Sequence, residues 1–370
     1  MVCEAIFCLK GGPLMNYVGI DYHKKYSVVT AIDEEGHVIR TRRLDNRPDT
    51  FQDFFDNLDG PSEAVLETSR TWGVLYDLLE DIDNVESVTL AHSLKVRAIA
   101  EAKIKTDTID SHTLAQLLRA DLIPAAYIPG KETRTFKEMI RQRVFLVRMR
   151  TRLKNRIHVL LDRRHIPLPP VTDVFGKIGN AYLKKLNLSG VDGVILRENL
   201  DLLAVFDTLI KEAEHEIQHL VGNDPRVKLL RTIPGLGPTM AAIVALEIDD
   251  IGRFSAPPKL ASYTGLVPST YASGGKVFHG RLLHMSNKWL RWAFVEAAWV
   301  AMRTSPYCRT FYEIRRRHKG PHTAVIALAR RMSEIVWHVL SEKRAYEERP
   351  FKVYKRTMSK ETAPAALTIS

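Results

Sequence analysis

The sequence predicts an α/β protein built in successive regions: an N-terminal sheet covered by helices, a basic helical coiled-coil middle, and a mainly α C-terminal region. Three observations carry this. Short β-branched runs open the chain and then alternate with helical patterns, the mark of a sheet with covering helices. From Lys131 to His165, 12 Lys or Arg stand against 3 acidic residues, with apolar residues at roughly helical spacing. Beyond Pro225, apolar helical stretches resume, punctuated by Pro and Gly. With 370 residues and 45% apolar composition, the chain is long enough for two or three cores.

Residues 1–14, MVCEAIFCLKGGPL, read as an N-terminal extension. A charge interrupts the apolar run and no small-residue cleavage site follows, so they make a poor signal peptide. The first domain is expected over residues 15–128. Its opening strand, Tyr17-Val18-Gly19-Ile20, stops at Asp21, and a charge ending a buried strand is costly unless it caps a turn or meets a cation. SVVTAI and HVIRTRRL flank the turn signal DEEG and read as a hairpin. A helical segment over Phe51 to Leu58 leads to AVLE, a strand ending in Glu67, then to the amphipathic TWGVLYDLLED, the strand VESVTLAH, and a helix within KIKTDTIDSHTLAQLLRADL.

The basic region, 129–222, places Ile140, Phe145, Leu146, Met149, Leu153, Ile157 and Leu160 at roughly helical spacing. After a Pro- and Gly-containing connector, ENLDLLAVFDTLIKEAEHEIQHL is expected to pair with it as an antiparallel coiled coil. Packing explains the apolar stripe but not the density of Arg141, Arg143, Arg148, Arg150, Arg152, Lys154 and Arg156, since solvated faces ordinarily mix both signs. These residues are candidates for nucleic-acid contact. In the C-terminal domain, 223–345, LLRTIPGLGPTMAAIVALEI resembles a helix-hairpin-helix in which Gly235 and Gly237 admit a close backbone approach and the second helix offers its first amides to phosphate. A plain αα-hairpin accounts for the same pattern. Residues 346–370 read as a flexible tail.

Lys and Arg outnumber Asp and Glu by 54 to 43, and the net charge of +11 points to a polyanionic partner, foremost nucleic acid. Cys3, Cys8 and Cys308 form neither a disulfide framework nor a Cys-x-x-Cys pair, which fits a reducing compartment such as the cytoplasm. Apolar runs such as AAIVALEI fall far short of the roughly 20 residues of a membrane span.

Asp21 and Glu67 end predicted strands, and Asp107 with Asp110 share a helix face at i,i+3. If those strands are neighbours and that helix packs over their ends, four carboxylates converge. Oxygen ligands suit Mg2+ or Mn2+, and a pair of such ions activates a nucleophile and stabilises a leaving oxygen. Each residue alone has a duller reading: Asp21 as a turn starter, Glu67 as a surface group, the helix pair as first-turn acids favoured by the dipole.

GIDYHK, VLETS and KTDTIDSHTLAQLL resemble the DEDD signature of the RuvC-like, ribonuclease H-fold domain in transposases of the insertion-sequence one-hundred-and-ten family. IPGLGPTMAAIVALEIDDIGRFSAPPKLASYTGLVP, then ASGG and KWLRWAFVEAAW, resemble the C-terminal transposase domain of the same family. Two motif sets in the right order cover the chain from about Met15 to about Met302. The resemblance implies that Asp21, Glu67, Asp107 and Asp110 are catalytic metal ligands and that Ser273, in YASGGKVFHGR, is a recombinase nucleophile. Lys276, His279 and Arg281 would offset phosphorane charge, and Lys105, Lys288 and Arg291 are further candidates for nucleic-acid contact. Apart from the resemblance, Ser-Gly-Gly is most simply a loop.

The resemblance further implies target and donor DNA as substrates, a structured bridge RNA that supplies sequence choice, and a homo-oligomer, dimer to tetramer. Two departures stand out: LLHMSNKWLR carries His284 where the family has a lysine and lacks its glycine, and Ser111 follows the last aspartate in place of alanine. The residues also admit other readings. A metal nuclease or junction resolvase would use water as nucleophile, an actin-like ATPase would need phosphate loops not evident here, and a non-catalytic nucleic-acid binder would cut nothing. His92, Lys95 and Arg97 either meet phosphate or face solvent.

Overall fold

The computed structural model describes residues 14–100, 106–283, 285–348 and 350. Residues 1–13 of the extension, Lys105, His284 and most of the tail lie outside the described residues, as do Cys3 and Cys8. The chain divides into two compact units, one ending at Ile128 and one starting at Pro129.

The first unit opens with an antiparallel meander, β1 (Asn16–Tyr22), β2 (Tyr26–Ile32) and β3 (Val38–Asp45). It continues through α1 (Pro48–Asp56), β4 (Ser62–Glu67), α2 (Trp72–Glu80), β5 (Val85–Ala91), α3 (Ser93–Ile99) and α4 (Asp107–Arg119). The sheet order is β3-β2-β1-β4-β5, with β4 parallel to β1 and β5 parallel to β4. The expected strands are all present; α3 is an addition, since seven residues give too little length for helical periodicity to show.

Alternation along the strands sorts the two faces of the sheet. Val18, Ile20, Ala64 and Leu66 pack with Phe51, Phe54, Phe55, Leu75 and Leu79, beneath α1 and α2. Val65 packs the other way, with Val96, Leu114 and Leu117 of α3 and α4. Gly19 and Asp21 therefore share the α4 face, as do Val65 and Glu67. A Cβ on Gly19 would fall 2.0 Å from the Ser111 carbonyl oxygen and 2.6 Å from the Ala115 nitrogen, so only glycine lets α4 lie directly on β1. Ser111 is fully buried there, its Oγ 2.8 Å from Thr30 Oγ1 on β2. The serine that departs from the family's alanine is thus satisfied by a partner on the sheet.

The second unit is mainly helical. It comprises α5 (Lys131–Arg163), α6 (Lys177–Lys185), α7 (Gly190–Val221), α8 (Pro225–Leu230), α9 (Pro238–Ile248), α10 (Pro257–Tyr263), the hairpin β6 (Pro268–Ser273) and β7 (Lys276–Leu282), then α11 (Lys288–Thr304), α12 (Pro306–Lys319) and α13 (Pro321–Ser341). Five of these helices begin with Pro in the first position, where its missing N–H costs nothing. The ion pairs Arg143–Glu214, Arg150–Asp207 and Arg164–Asp192 run forward along α5 and backward along α7, so the two helices are antiparallel. The apolar stripe differs from expectation at one turn: Val144 is buried at 2% exposure, whereas Phe145 is 52% exposed. The connector between them also contains α6, whose Tyr182 hydroxyl donates to the Pro167 carbonyl at 2.7 Å.

The core of this unit surrounds α9, buried from Ala241 to Ile248, with α11 and α13 packed against it through Ala297, Ala298, Ala301, Leu328 and Met332. Ile140, Val144, Ile217 and Val221 of the coiled coil join the same core. The turn before α9 separates its two glycines. Gly235 has φ +88°, and a Cβ there would lie 2.2 Å from the Ala297 carbonyl oxygen; Gly237 has ordinary φ and open space around it. Gly235→Ala is expected to cost about 1–3 kcal/mol or more in urea unfolding, and Gly237→Ala less than about 1 kcal/mol. Equal costs would mean that the close approach to α11 does not govern this turn.

Candidate active site

The site is built where β1 and β4 end. Ile20 pairs with Leu66 across the parallel strands, and the next residue on each is a carboxylate, Asp21 and Glu67. Neighbouring strands lie about 4.8 Å apart, and matched register sends both side chains to the α4 face. α4 delivers the other two acids: Thr106 caps it, its Oγ1 accepting from the Ile109 amide at 3.2 Å, which sets Asp107 in the first position and Asp110 one turn later. The close contact at Gly19 holds that helix end beside β1.

After Tyr22 the chain reverses, and the turn is fixed by Asn46, whose Nδ2 donates to the His23 carbonyl at 2.6 Å while its Oδ1 accepts from Ser27 Oγ at 2.7 Å. The result aims His23 between two acids: its Nε2 lies 3.1 Å from Asp21 Oδ2 and 3.3 Å from Asp107 Oδ2. The Tyr26 hydroxyl donates to Asp107 Oδ2 at 3.0 Å, and the Arg43 guanidinium sits 3.7 Å from the Tyr26 ring centroid. Burial holds the Asp21 carboxyl above its ordinary pKa; His23 opposes this, and the charges of Asp107 and Asp110 add to it. The Tyr26 hydroxyl is likewise raised, chiefly because it donates to Asp107.

Asp21, His23 and Asp107 present ligand atoms within 4.8 Å of one another. Asp110 reaches Asp21 electrostatically, and Glu67 is adjacent by strand register. Such a set of crowded oxygen donors fits Mg2+ or Mn2+, since a divalent cation supplies the counter-charge that burial and the neighbouring carboxylates deny to Asp21. Asp33, Glu35 and His37 also cluster, but at an exposed hairpin tip where Asp33 already accepts from the His37 amide at 2.7 Å. The sequence reading missed His23 and Tyr26, although both lie in the same GIDYHKKY run; two positions past a strand-ending acid is where a chain reversal returns a side chain to it.

The raised Asp21 makes a stability prediction. A carboxyl whose folded pKa exceeds its unfolded one contributes stability that is present below the unfolded value and lost as pH rises through the folded value. At pH 7 with EDTA, Asp21→Asn should therefore melt above the parent protein, and excess Mg2+ should reverse the order. A lower melting temperature for the variant in EDTA would contradict the electrostatic account.

Ser273 is the last residue of β6, paired with Lys276 across a two-residue turn. Gly274 and Gly275 have φ +56° and +75°, and positive φ at both central positions is what a tight type I′ hairpin turn demands. Ser273, Lys276 and Arg281 are exposed, and a Cβ on either glycine would meet nothing within 4 Å. Lys288 is exposed at the start of α11. Arg291 is half-buried, donating to the Thr264 and Leu283 carbonyls and to Ser286 Oγ, and so fastens the base of the hairpin.

The basic helix is divided in its use. Arg143 and Arg150 pair with acids of α7; Arg141 reaches Glu247 at 3.5 Å, and Arg141 and Arg148 both approach the Trp289 ring. Lys154 stands 4.8 Å from the Phe175 ring, and Arg152 and Arg156 are exposed. Lys95 and Arg97 are exposed on α3, while His92 is half-buried.

Comparison with known proteins agrees at both ends of the chain. A transposase family model named for the DEDD signature of IS110 matches residues 18–166, and the model described as transposase IS116/IS110/IS902 family matches residues 227–313. An uncharacterized 44.8 kDa protein of insertion element IS116 from Streptomyces clavuligerus is 30% identical over 149 residues, 40% of this chain and 37% of that protein. An uncharacterized 43.6 kDa protein of insertion element IS110 from Streptomyces coelicolor is 31% identical over 48% of this chain and 44% of its own length. These matches thus span less than half of those relatives. The transposase for insertion sequence element IS1111A of Coxiella burnetii is 22% identical over 89% of this chain and 90% of its own. Among the described residues no helix is long and apolar enough to cross a membrane.

Proposed function

The chain belongs to the IS116/IS110/IS902 family of transposases, and from that premise we propose that it cuts and rejoins the DNA strands of a mobile insertion sequence. The observation that carries this reading is the gathering of acids at the ends of β1 and β4 under the start of α4. Asp21, Glu67, Asp107 and Asp110 would hold the divalent ions, which supply charge neutralisation at the scissile phosphate and activation of the nucleophile. His23 and Tyr26 orient Asp21 and Asp107 by the hydrogen bonds described above. The hydroxyl of Ser273 attacks phosphorus, a Ser Oγ–P bond forms as the bond to the leaving strand oxygen breaks, and that oxygen takes up a proton; the phosphodiester energy is kept for rejoining. Lys276 and Arg281 offset the charge of the transition state.

The family resemblance brings a bridge RNA into the proposal as the source of sequence choice, with target and donor DNA paired to it and the protein reading backbone and shape. Exposed Arg152 and Arg156, the open turn at Gly237 and the net charge of +11 support a phosphate-reading role. A dimer or tetramer would supply the several strand cuts that exchange needs. The test is direct: full-length protein purified at high salt, its bound RNA sequenced, then incubated with plasmid carrying the element's ends. The proposal expects a discrete structured RNA and strand cleavage that requires Mg2+ or Mn2+ and stops in EDTA. Cleavage indifferent to EDTA, or none on any substrate, would contradict it.

A further inference from the structure

The serine hairpin carries an exposed aromatic pair that the proposed chemistry leaves unused. Tyr271 and Phe278 face each other directly across β6 and β7, and they are 68% and 62% exposed. Directly paired residues point to the same side of a ribbon, and residues two apart on a strand share that side. Ser273 lies two residues beyond Tyr271, and Lys276 two residues before Phe278. All four therefore stand on one face: two large rings, then a hydroxyl and an ammonium at the turn. Among the described residues the ribbon has two strands, and no third strand pairs with either edge. Residues 268–288 contain Lys276, Arg281 and Lys288 and no acidic residue at all.

An exposed aromatic pair is costly to leave in water, and an all-basic setting selects a polyanion with flat apolar surfaces as its cover. We propose that Tyr271 and Phe278 form a stacking platform for unpaired bases of single-stranded DNA, and that this platform seats the strand whose phosphate is presented to Ser273. The inference rests on the reading of Ser273 as nucleophile for its purpose, but not for its chemistry. Base–aromatic stacking tolerates any sequence, which suits a protein whose sequence choice comes from elsewhere. Backbone cations alone would not distinguish a strand with free base faces from a duplex, whereas the rings would.

The test uses full-length protein in EDTA, so that no cleavage intervenes, and fluorescein-labelled (dT)20, (rU)20 and a 20-base-pair duplex as probes. The double variant Tyr271→Ala/Phe278→Ala is expected to bind (dT)20 about tenfold more weakly for each ring removed, with duplex binding changed less than about twofold. Tyr271→Phe should retain parental affinity, and Phe278→Trp should show added fluorescence quenching when (dT)20 binds. Equal loss on strand and duplex, no loss on either, or dependence confined to (rU)20 would overturn the proposal. So would a double variant that sediments as a smaller species, because the rings would then be covered by a second copy of the chain. If Ser273 proves not to be the nucleophile, these binding results stand unchanged, so the two failures are separable.

Discussion

Asp107→Asn is expected to abolish DNA cleavage, lowering the rate by about three orders of magnitude or more while leaving the fold intact. Asn keeps the shape of the side chain, so the Tyr26 hydroxyl can still donate to its remaining oxygen, and Thr106 still caps α4. What is lost is the charge beside Asp21, and with it a ligand whose removal forfeits several kcal/mol of transition-state stabilisation. The measurement is single-turnover cleavage of element ends with saturating Mg2+, alongside thermal melting and DNA binding. Cooperative melting and parental DNA binding with no cleavage is the predicted outcome. Cleavage within about tenfold of the parent would remove Asp107 from the site.

Ser273→Ala should eliminate covalent protein–DNA adducts and, with them, strand exchange. The residue is exposed at a tight turn, nothing packs on its neighbours Gly274 and Gly275, and the substitution should not disturb the hairpin. Adducts are trapped by rapid denaturation and the modified residue is identified by peptide mass. A metal nuclease with water as nucleophile differs at Ser273 alone: it predicts undiminished cleavage by the Ser273 variant, with none by Asp107→Asn under either reading. Adducts that persist on another residue would leave the carboxylate centre in place but move the nucleophile.

Much of the first unit is legible in the sequence because its signals are long and redundant. β-branched runs, a DEEG turn and two parallel strands that end in acids specify the sheet, and the i,i+3 pair Asp107 and Asp110 specifies which helix end meets it. The elements that escape notice are short. α3 and α6 have seven and nine residues, too few for periodicity to stand out against a connector. The turn Ser273-Gly274-Gly275-Lys276 reads as a loop because Gly-Gly signals flexibility as readily as it signals a type I′ hairpin; the flanking strands decide between them. Phe145 illustrates a different limit. Two adjacent apolar residues compete for one place on a helical stripe, and it is the smaller Val144 that fits between α5 and the shared core.

Close approach of backbones is the other thing composition cannot show. A Cβ on Gly19 or Gly235 would fall 2.0 or 2.2 Å from a backbone carbonyl oxygen of a neighbouring helix, and neither neighbour is near in sequence. Likewise the arginine density of α5 suggests a nucleic-acid face, yet Arg143 and Arg150 are engaged by Glu214 and Asp207 of a helix that follows it. Charge on one strand of sequence is informative about partners only once the facing element is known.

The central claim is that Asp21, Glu67, Asp107 and Asp110 together hold divalent metal. Anomalous diffraction from crystals of the full-length protein grown with Mn2+ tests it most directly. The account predicts manganese within about 2.2 Å of oxygens from Asp21 and Asp107, with Glu67 and Asp110 ligating the same ion or its neighbour. Manganese absent from that cluster, or found only at Asp33, Glu35 and His37, would contradict it.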